Sequence, residues 1–434
     1  MKKYIKKINK IAKISLYLIF SINLFSLTDE EFKMINAVEN GDIKTIQYLI
    51  SKKINQNIKD KRGYSLIHIA VENNQINSIN TLKYFNYIDL NDLLKKNTKI
   101  TNDKYIIDAS YFSAIDIATV NNNFEIVKLL LDLGANINIQ MEEKLRSEFL
   151  ASKYSIPKIL ELYLNKNIYL LMNSEDVISL IKYATIGNNI KNINYLVQTL
   201  GIDVDTKDTN TMLHYAISYG SVEALNLLIK LGANINNTNS DFKTPLHYAI
   251  ENNFNRMVES IKILISSNAN VDIKDKDGNT SLHLAVINSY KSKDYINIIY
   301  NLIRNNIDIN ILNNNNQNAL NIAVENNNTE IANILINNKS NLNNISSGYA
   351  PIHIAIKNNN MHILENLLLN NAYINIKDDI KGYTPLCNAI ENNNLDMCKM
   401  LIKNNALIDS NAINLANKID NKEIKKLLGL EEVN

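Results

Sequence analysis

Thr244-Pro245-Leu246-His247-Tyr248-Ala249 recurs along this chain of 434 residues in worn but recognisable copies: Ser65 to Ala70, Thr211 to Ala216, Thr280 to Ala285, Ala350 to Ala355 and Thr384 to Ala389. Each copy opens a short apolar helix. A polar turn, a second apolar helix and a loop of the type Gly232-Ala233-Asn234-Ile235-Asn236 follow. Taking the last alanine of each copy as an anchor places anchors at Ala37, Ala70, Ala118, Ala151, Ala184, Ala216, Ala249, Ala285, Ala323, Ala355, Ala389 and Ala416. The commonest separation is 33 residues, with one large insertion and a short last unit. A fixed period of this size is the mark of a repeat architecture, in which each unit hides its apolar face against the next.

The hexad explains its own residue choices. Thr244 is a good N-cap, because its hydroxyl takes up an orphan amide of the first helical turn. Pro245 follows at the first helical position, where a missing N–H costs nothing. Three of the four prolines, Pro245, Pro351 and Pro385, hold this slot. Leu246 and Ala249 stand three apart and share one face, and an alanine there lets neighbouring helices approach closely.

With these residues in view, the chain resembles the ankyrin repeat family, whose pattern of about 33 residues carries Thr-Pro-Leu-His-x-Ala. The best local match is Asp275-Lys276-Asp277-Gly278-Asn279-Thr280-Ser281-Leu282-His283-Leu284-Ala285, and the resemblance covers roughly residues 32 to 428. It implies an all-α solenoid of stacked helix-turn-helix units with short β-turn fingers, about twelve units over 29–428. It also implies that the hexad histidines tie neighbouring loops by hydrogen bonds. Finger tips and helix ends are implied to line a concave groove that grips a protein partner. Carried over by position, the candidate contacts are Arg62, Tyr64, Asp208, Tyr219, Asp241, Lys243, Glu251, Lys276, Asp277, Asn279, Lys381 and Tyr383. Arg62, Tyr64, Tyr219 and Tyr383 lead this set, since interfaces favour Tyr and Arg as anchors.

Asparagine is extreme, at 77 residues. A prion-like reading of that bias fails because the residues fall in register. They fill the turn between helices (Asn73-Asn74, Asn252-Asn253, Asn327-Asn328, Asn359-Asn360, Asn393-Asn394) and helix ends where Gly is usual (Asn268, Asn371, Asn405). Asn is the common non-Gly residue that tolerates the left-handed conformation. Only Asn313 to Asn316 reads as low complexity.

Residues 1–27 differ from the rest. Six lysines and no acid precede a 14-residue, mostly apolar run from Ile14 to Leu27. That run is short of the ~20 residues of a membrane span and has the pattern of a secretory signal peptide, with an uncleaved anchor or a capping helix as alternatives. The net charge is +2, so removing six lysines leaves −4, a poor balance for binding nucleic acid. The expected location is extracytoplasmic, in a bacterium. Cys387 and Cys398 are read as buried thiols rather than a disulfide, since free Cys behaves as a small hydrophobe.

Along the chain, extra residues within 83–111 place an extended polar loop near Asn91 to Asp103. The two units around 141–200 keep helical periods but lose hexad and finger, and Pro157 is placed at the start of a helix. Ile413 to Leu428 should cap the stack.

No catalytic constellation emerges. Five of six histidines, His68, His214, His247, His283 and His353, sit at the hexad slot. Stacked helices lie roughly 8–10 Å apart, whereas zinc ligands must converge at ~2 Å, so the reading is structural. Glu39, Glu72, Glu251, Glu325 and Glu391 stand two residues after an anchor and are read as a solvated stripe rather than paired acids of an enzyme. The sequence thus points to a non-enzymatic, monomeric scaffold for a protein partner. No cofactor, metal, small-molecule substrate or nucleic acid is expected, and membrane contact only through 1–27. An exported effector acting on a host target is the second reading.

Overall fold

The computed structural model describes residues 27–101, 106–139, 145–252 and 256–430. The leader assigned to 1–27 lies outside the described residues except for Leu27. Contacts divide the chain into two halves, one ending at Ile202 and one beginning at Asp203.

Both halves are built from helix pairs. The first half runs Asp29–Asn40 with Ile43–Ser51, Leu66–Glu72 with Ile76–Tyr84, Ala114–Val120 with Phe124–Asp132, Ser147–Tyr154 with Pro157–Lys166, and Ser174–Ile186 with Ile190–Asn194. The second runs Met212–Ser218 with Val222–Lys230, Pro245–Glu251 with Met257–Ser266, Ser281–Ile287 with Asp294–Arg304, and Ala319–Glu325 with Thr329–Asn337. Pro351–Lys357 with Met361–Leu369, Pro385–Glu391 with Leu395–Lys403, and Ser410–Lys418 with Lys422–Leu427 complete it. Every anchor alanine lies in the first helix of its pair and is at most 5% exposed.

Helices of seven residues are far below the length that is stable alone in water, so they stand by packing. Pro245–Glu251 lies against Met212–Ser218 on one side and Ser281–Ile287 on the other. Leu246 and Ala249 are fully buried in those seams. Thr244 is extended and caps the helix, its Oγ1 accepting from the His247 amide at 3.3 Å.

Asparagine does more than fit left-handed turns, although Asn268, Asn371 and Asn405 do hold φ of 62°, 64° and 66°. It caps the second helices: the side chains of Asn123, Asn328, Asn360 and Asn394 accept from the amide three residues on. The same caps reach the previous pair. Asn360 Nδ2 donates to Asn327 Oδ1 at 2.7 Å, Asn394 to Asn359 at 2.5 Å and Asn421 to Asn393 at 2.6 Å. At the opposite edge a side-chain oxygen accepts from the backbone of the next pair. Asn236 takes the Asn270 amide (2.9 Å), Asp272 that of Asp308 (3.0 Å), and Asn343 that of Tyr373 (2.8 Å).

Two expectations change. The insertion is not a bare extended loop. It contains an antiparallel hairpin, Lys99–Thr101 with Ile106–Asp108, in which Ile100 faces Ile107. Those two residues are buried with Leu94, Ala109 and Phe112 while their neighbours along the strands are exposed, so period-two alternation makes the strands. Asn313 to Asn316 is not idle either: Asn313 Oδ1 accepts from the amides of Asn315 and Gln317, both at 3.0 Å, and builds a finger.

The irregular repeats keep helices; a 3-10 turn, Ile168–Leu171, stands where the second would carry a finger, the finger position of the first lies outside the described residues, and Pro157 opens its helix as read. The second ends in a π-helical turn, Tyr195–Thr199. Their seam carries polar contacts: Ser147 Oγ donates to the buried Asp116 at 2.5 Å, and Arg146 bridges the buried Glu148 and Asp176. Burial pushes the Glu148 carboxyl up.

Leu246→Asp would place an unpaired charge between three helices, and breaking a seam in this way costs about 3–5 kcal/mol. The expected result is a clear fall in the thermal midpoint; an unchanged melting curve would mean that the seam lies elsewhere.

Candidate functional face

Four fingers are each a turn built on one acidic or amide side chain, while Ser346–Tyr349 is closed by backbone bonds alone. Asp60, Asn239 and Asp275 each accept from the amides two and four residues on, and Asp378 from those of Ile380 and Lys381. Neighbouring tips are joined through the backbone: Ser240 N–H donates to Thr209 O (2.9 Å), Asn314 to Asp277 O (3.1 Å) and Asp379 to Gly348 O (2.9 Å).

The hexad histidine couples finger and helix. The backbone amides of Thr244, Thr280 and Ala350 donate to Nδ1 of His247, His283 and His353 at 3.1–3.2 Å. An accepting Nδ1 leaves the proton on Nε2. That atom donates to the carbonyl of the next finger from His214 (Lys243 O, 3.0 Å), His283 (Gln317 O, 3.0 Å) and His353 (Ile376 O, 3.1 Å). The loop-tying role implied by the resemblance is therefore seen at three positions, while Nε2 of His68 and His247 is buried without such a bond. Asn321 imitates the histidine, donating from Nδ2 to Asn344 O at 3.0 Å. Among the described residues no group of three His, Cys, Asp or Glu is placed to hold a metal ion. Cys387 and Cys398 are free and buried, and burial pushes the Cys398 thiol up to about 12.

The glutamates are not a merely solvated stripe. A finger residue reaches back to each of four. Arg62 takes Glu72 through two bonds (2.8 and 2.7 Å), Lys381 takes Glu391 (2.6 Å), Lys243 takes Glu251, and Gln317 takes Glu325 (2.6 Å). A basic or amide residue eight to ten positions ahead of the Glu is the sequence signal for this latch. Each latch pins a finger to the end of its own helix, so both belong to one face.

Of the candidate contacts, two are removed by burial. Tyr64 is 2% exposed, packed under the Arg62 guanidinium at 4.2 Å, and Asn279 is 8% exposed, its Oδ1 accepting from Asn313. Their polar or ring atoms are spent inside the finger, which position along the chain does not disclose. Arg62 stands in the first half. In the second half, Asp208 accepts from the Tyr215 hydroxyl (2.7 Å), Asp241 lies 3.8 Å from Lys276, and Lys381 covers Tyr383 at 5.3 Å. Asp277 and Tyr219 are exposed. Phe242, exposed at a finger tip, was not among the candidates. Its signal is position: it stands two residues before the cap, where Gly278 and Gly382 stand in other fingers.

A cleft of about 770 Å³ in the first half is lined by the turns at 121–125, 153–156 and 187–191. Several of its polar groups are already used: Asn122 Oδ1 accepts from the Ile156 amide (2.9 Å), and Asn189 Nδ2 donates to Ser155 O (2.8 Å).

These pairs, fingers and hexads define a class, and comparison with known proteins agrees. Family profiles described as ankyrin repeats (3 copies) match residues 34–141, 235–298, 290–378 and 344–414, and one described as ankyrin repeats (many copies) matches 196–249. The chain belongs to the ankyrin repeat family. The unmatched stretch, 142–195, is that of the irregular repeats. The chain is similar to a putative ankyrin repeat protein of fowlpox virus (strain NVSL), 30% identical over 34% of each chain. It is also similar to the nuclear factor NF-kappa-B p105 subunit of Gallus gallus, 25% identical over 46% of this chain and 20% of that one. Inversin of Canis lupus familiaris is 29% identical over 33% and 10%. The chain thus spans at most about a third of these relatives. Among solved structures, the ankyrin repeat domain of Bcl-3 matches with a TM-score of 0.43 and 24% identity, over 48% of this chain and 91% of that one.

Burial holds His68, His214 and His247 neutral, with pKa values lowered to about 4 against an ordinary 6.5. The unfolded chain therefore binds more protons between those values, and the stability these sites contribute is complete above pH 6.5 and lost as pH falls toward 4. The urea midpoint is expected to drop from pH 7 to pH 5, and His247→Asn, imitating Asn321, should shrink that drop. An equal drop in the variant would contradict the assignment.

Proposed function

We propose that this chain is a protein-binding scaffold that uses the face formed by finger tips and first-helix ends, and that no catalytic step takes place on it. The observation that supports this most directly is the set of latches. Arg62–Glu72, Lys243–Glu251 and Lys381–Glu391 fix fingers to helix ends before any partner arrives, and a preorganised surface loses less entropy on binding. Repeats of this family are in general interaction modules without catalysis. The proposed contacts are Arg62 on the first half, with Tyr64 as support beneath it, and, on the second half, Asp208, Tyr219, Asp241, Lys243, Glu251, Lys276, Asp277, Lys381 and Tyr383, with Asn279 as support.

A second reading, that the chain is exported and acts on a host target, is supported by the lysine-rich and apolar leader. Among the described residues no helix is long and apolar enough to cross a membrane. N-terminal sequencing of the protein recovered outside the producing cell tests export and cleavage together; recovery only from the cytoplasm with an intact leader would end this reading.

The interface is tested in the full chain by a photo-crosslinking residue placed at Tyr219, Lys276 or Tyr383, and at Glu161 or Lys262 on second helices. Adducts with another protein are expected from the first set. Adducts from the second set alone, or from neither, would overturn the proposal.

A further inference from the structure

The slot three residues before the anchor alanine is the seam position that Leu246 fills. Every other anchored pair from Ala70 to Ala389 but one places Leu or Ile there, at most 1% exposed, as at Ile115, Ile181 and Leu213. In the pair anchored at Ala151 the slot holds Glu148, and that residue is 0% exposed as well. The chain sets an acid where its own pattern calls for an aliphatic side chain. The helix that carries it, Ser147–Tyr154, packs against Ala114–Val120, Pro157–Lys166 and Ser174–Ile186.

One cation serves this carboxylate. Arg146, just ahead of the helix, meets Glu148 Oε1 through Nη2 and Asp176 Oδ1 through Nη1, the latter at 2.6 Å. Beyond that ion pair neither Glu148 oxygen has a hydrogen-bond partner among the described residues. From Ala114–Val120, Asp116 enters the same seam, accepting from the hydroxyls of Ser113 and Ser147 at 2.6 and 2.5 Å. From Pro157–Lys166 comes the Tyr163 hydroxyl, bonded to Thr119 at 2.6 Å and close enough to feel the charges of Asp116 and Glu148. The seam thus holds three acids and one guanidinium, and that guanidinium is shared between two of them. A buried charge without hydrogen bonds is costly, and a carboxyl escapes the cost by taking a proton. Burial outweighs the pull of Arg146 and of the helix start, so the Glu148 carboxyl is pushed up from its ordinary 4.5. Protonated, Glu148 is an uncharged occupant of a slot built for leucine. Ionised, it puts a charge into a dry seam with half of one guanidinium to hold it.

We propose that Glu148 and Arg146 form a pH-sensitive catch in the irregular repeats: with Glu148 protonated the seam between Ser147–Tyr154 and Ser174–Ile186 is closed, and ionisation of Glu148 loosens it. The folded chain keeps a proton that the unfolded chain releases above 4.5. The stability this site contributes is therefore complete below 4.5 and is lost as pH rises through the higher value of the folded state. Its direction opposes that of the hexad histidines, whose contribution is lost on acidification. Hydrogen exchange of the full chain at pH 5 and pH 8, corrected for intrinsic rates, reads the opening of each helix. Protection within 147–154 and 174–186 is expected to be about tenfold or more higher at pH 5. Glu148→Gln and Glu148→Leu keep the slot uncharged and should abolish that difference by raising protection at pH 8; the second restores the chain's own pattern and is expected to fold. In the unaltered chain the carboxyl carbon of Glu148, followed by NMR, should titrate above 4.5. Protection that is equal at the two pH values or higher at pH 8 overturns the catch. So does a difference that persists in both variants, or a carboxyl that titrates at or below its ordinary value.

Discussion

Seven residues of helix cannot hold their own hydrogen bonds against water. The fold depends on how closely one such helix can lie against the next, and that distance is set by the buried alanine that recurs at Ala70, Ala216, Ala249, Ala285, Ala323, Ala355 and Ala389. A larger side chain there would push apart the helices that Leu246 and its counterparts join. Capping residue, finger and latch are all positioned relative to that contact. His214, His283 and His353 tie a finger to the next only because the helix that carries each is already seated.

Most of this was readable in the sequence because each physical demand recurs at a fixed period. Anchors, caps and left-handed asparagines came from position alone, and Pro157 did so even in a repeat without a hexad. The irregular repeats were harder, since their apolar seam, with Leu150, Leu180 and Ile181 buried, carries no hexad and is supplemented by the polar contacts of Asp116, Ser147 and Arg146. The strands Lys99–Thr101 and Ile106–Asp108 leave little periodic signal in the sequence, because each is three residues long and buries one side chain.

The candidate face was legible in outline and not in detail. Sequence register places a residue at a finger tip, but it does not say whether the side chain turns in, as Tyr64 and Asn279 do, or out, as Phe242 does. The glutamates show the same limit. Their spacing from the anchor was plain, yet what decides their chemistry is a lysine, arginine or glutamine on the finger ahead of them.

The asparagine contacts between successive pairs carry a further consequence. What one repeat offers the next along its two edges is an amide or carboxylate oxygen aimed at a backbone N–H, or at another asparagine. Neither end of such a bond depends on the identity of the core residues around it. A repeat excised or duplicated within a regular tract would meet new neighbours with the same donors and acceptors, so the joint could reseal. A chain assembled this way is tolerant of changes in its own length, and its binding surface can be extended or shortened without inventing a new seam.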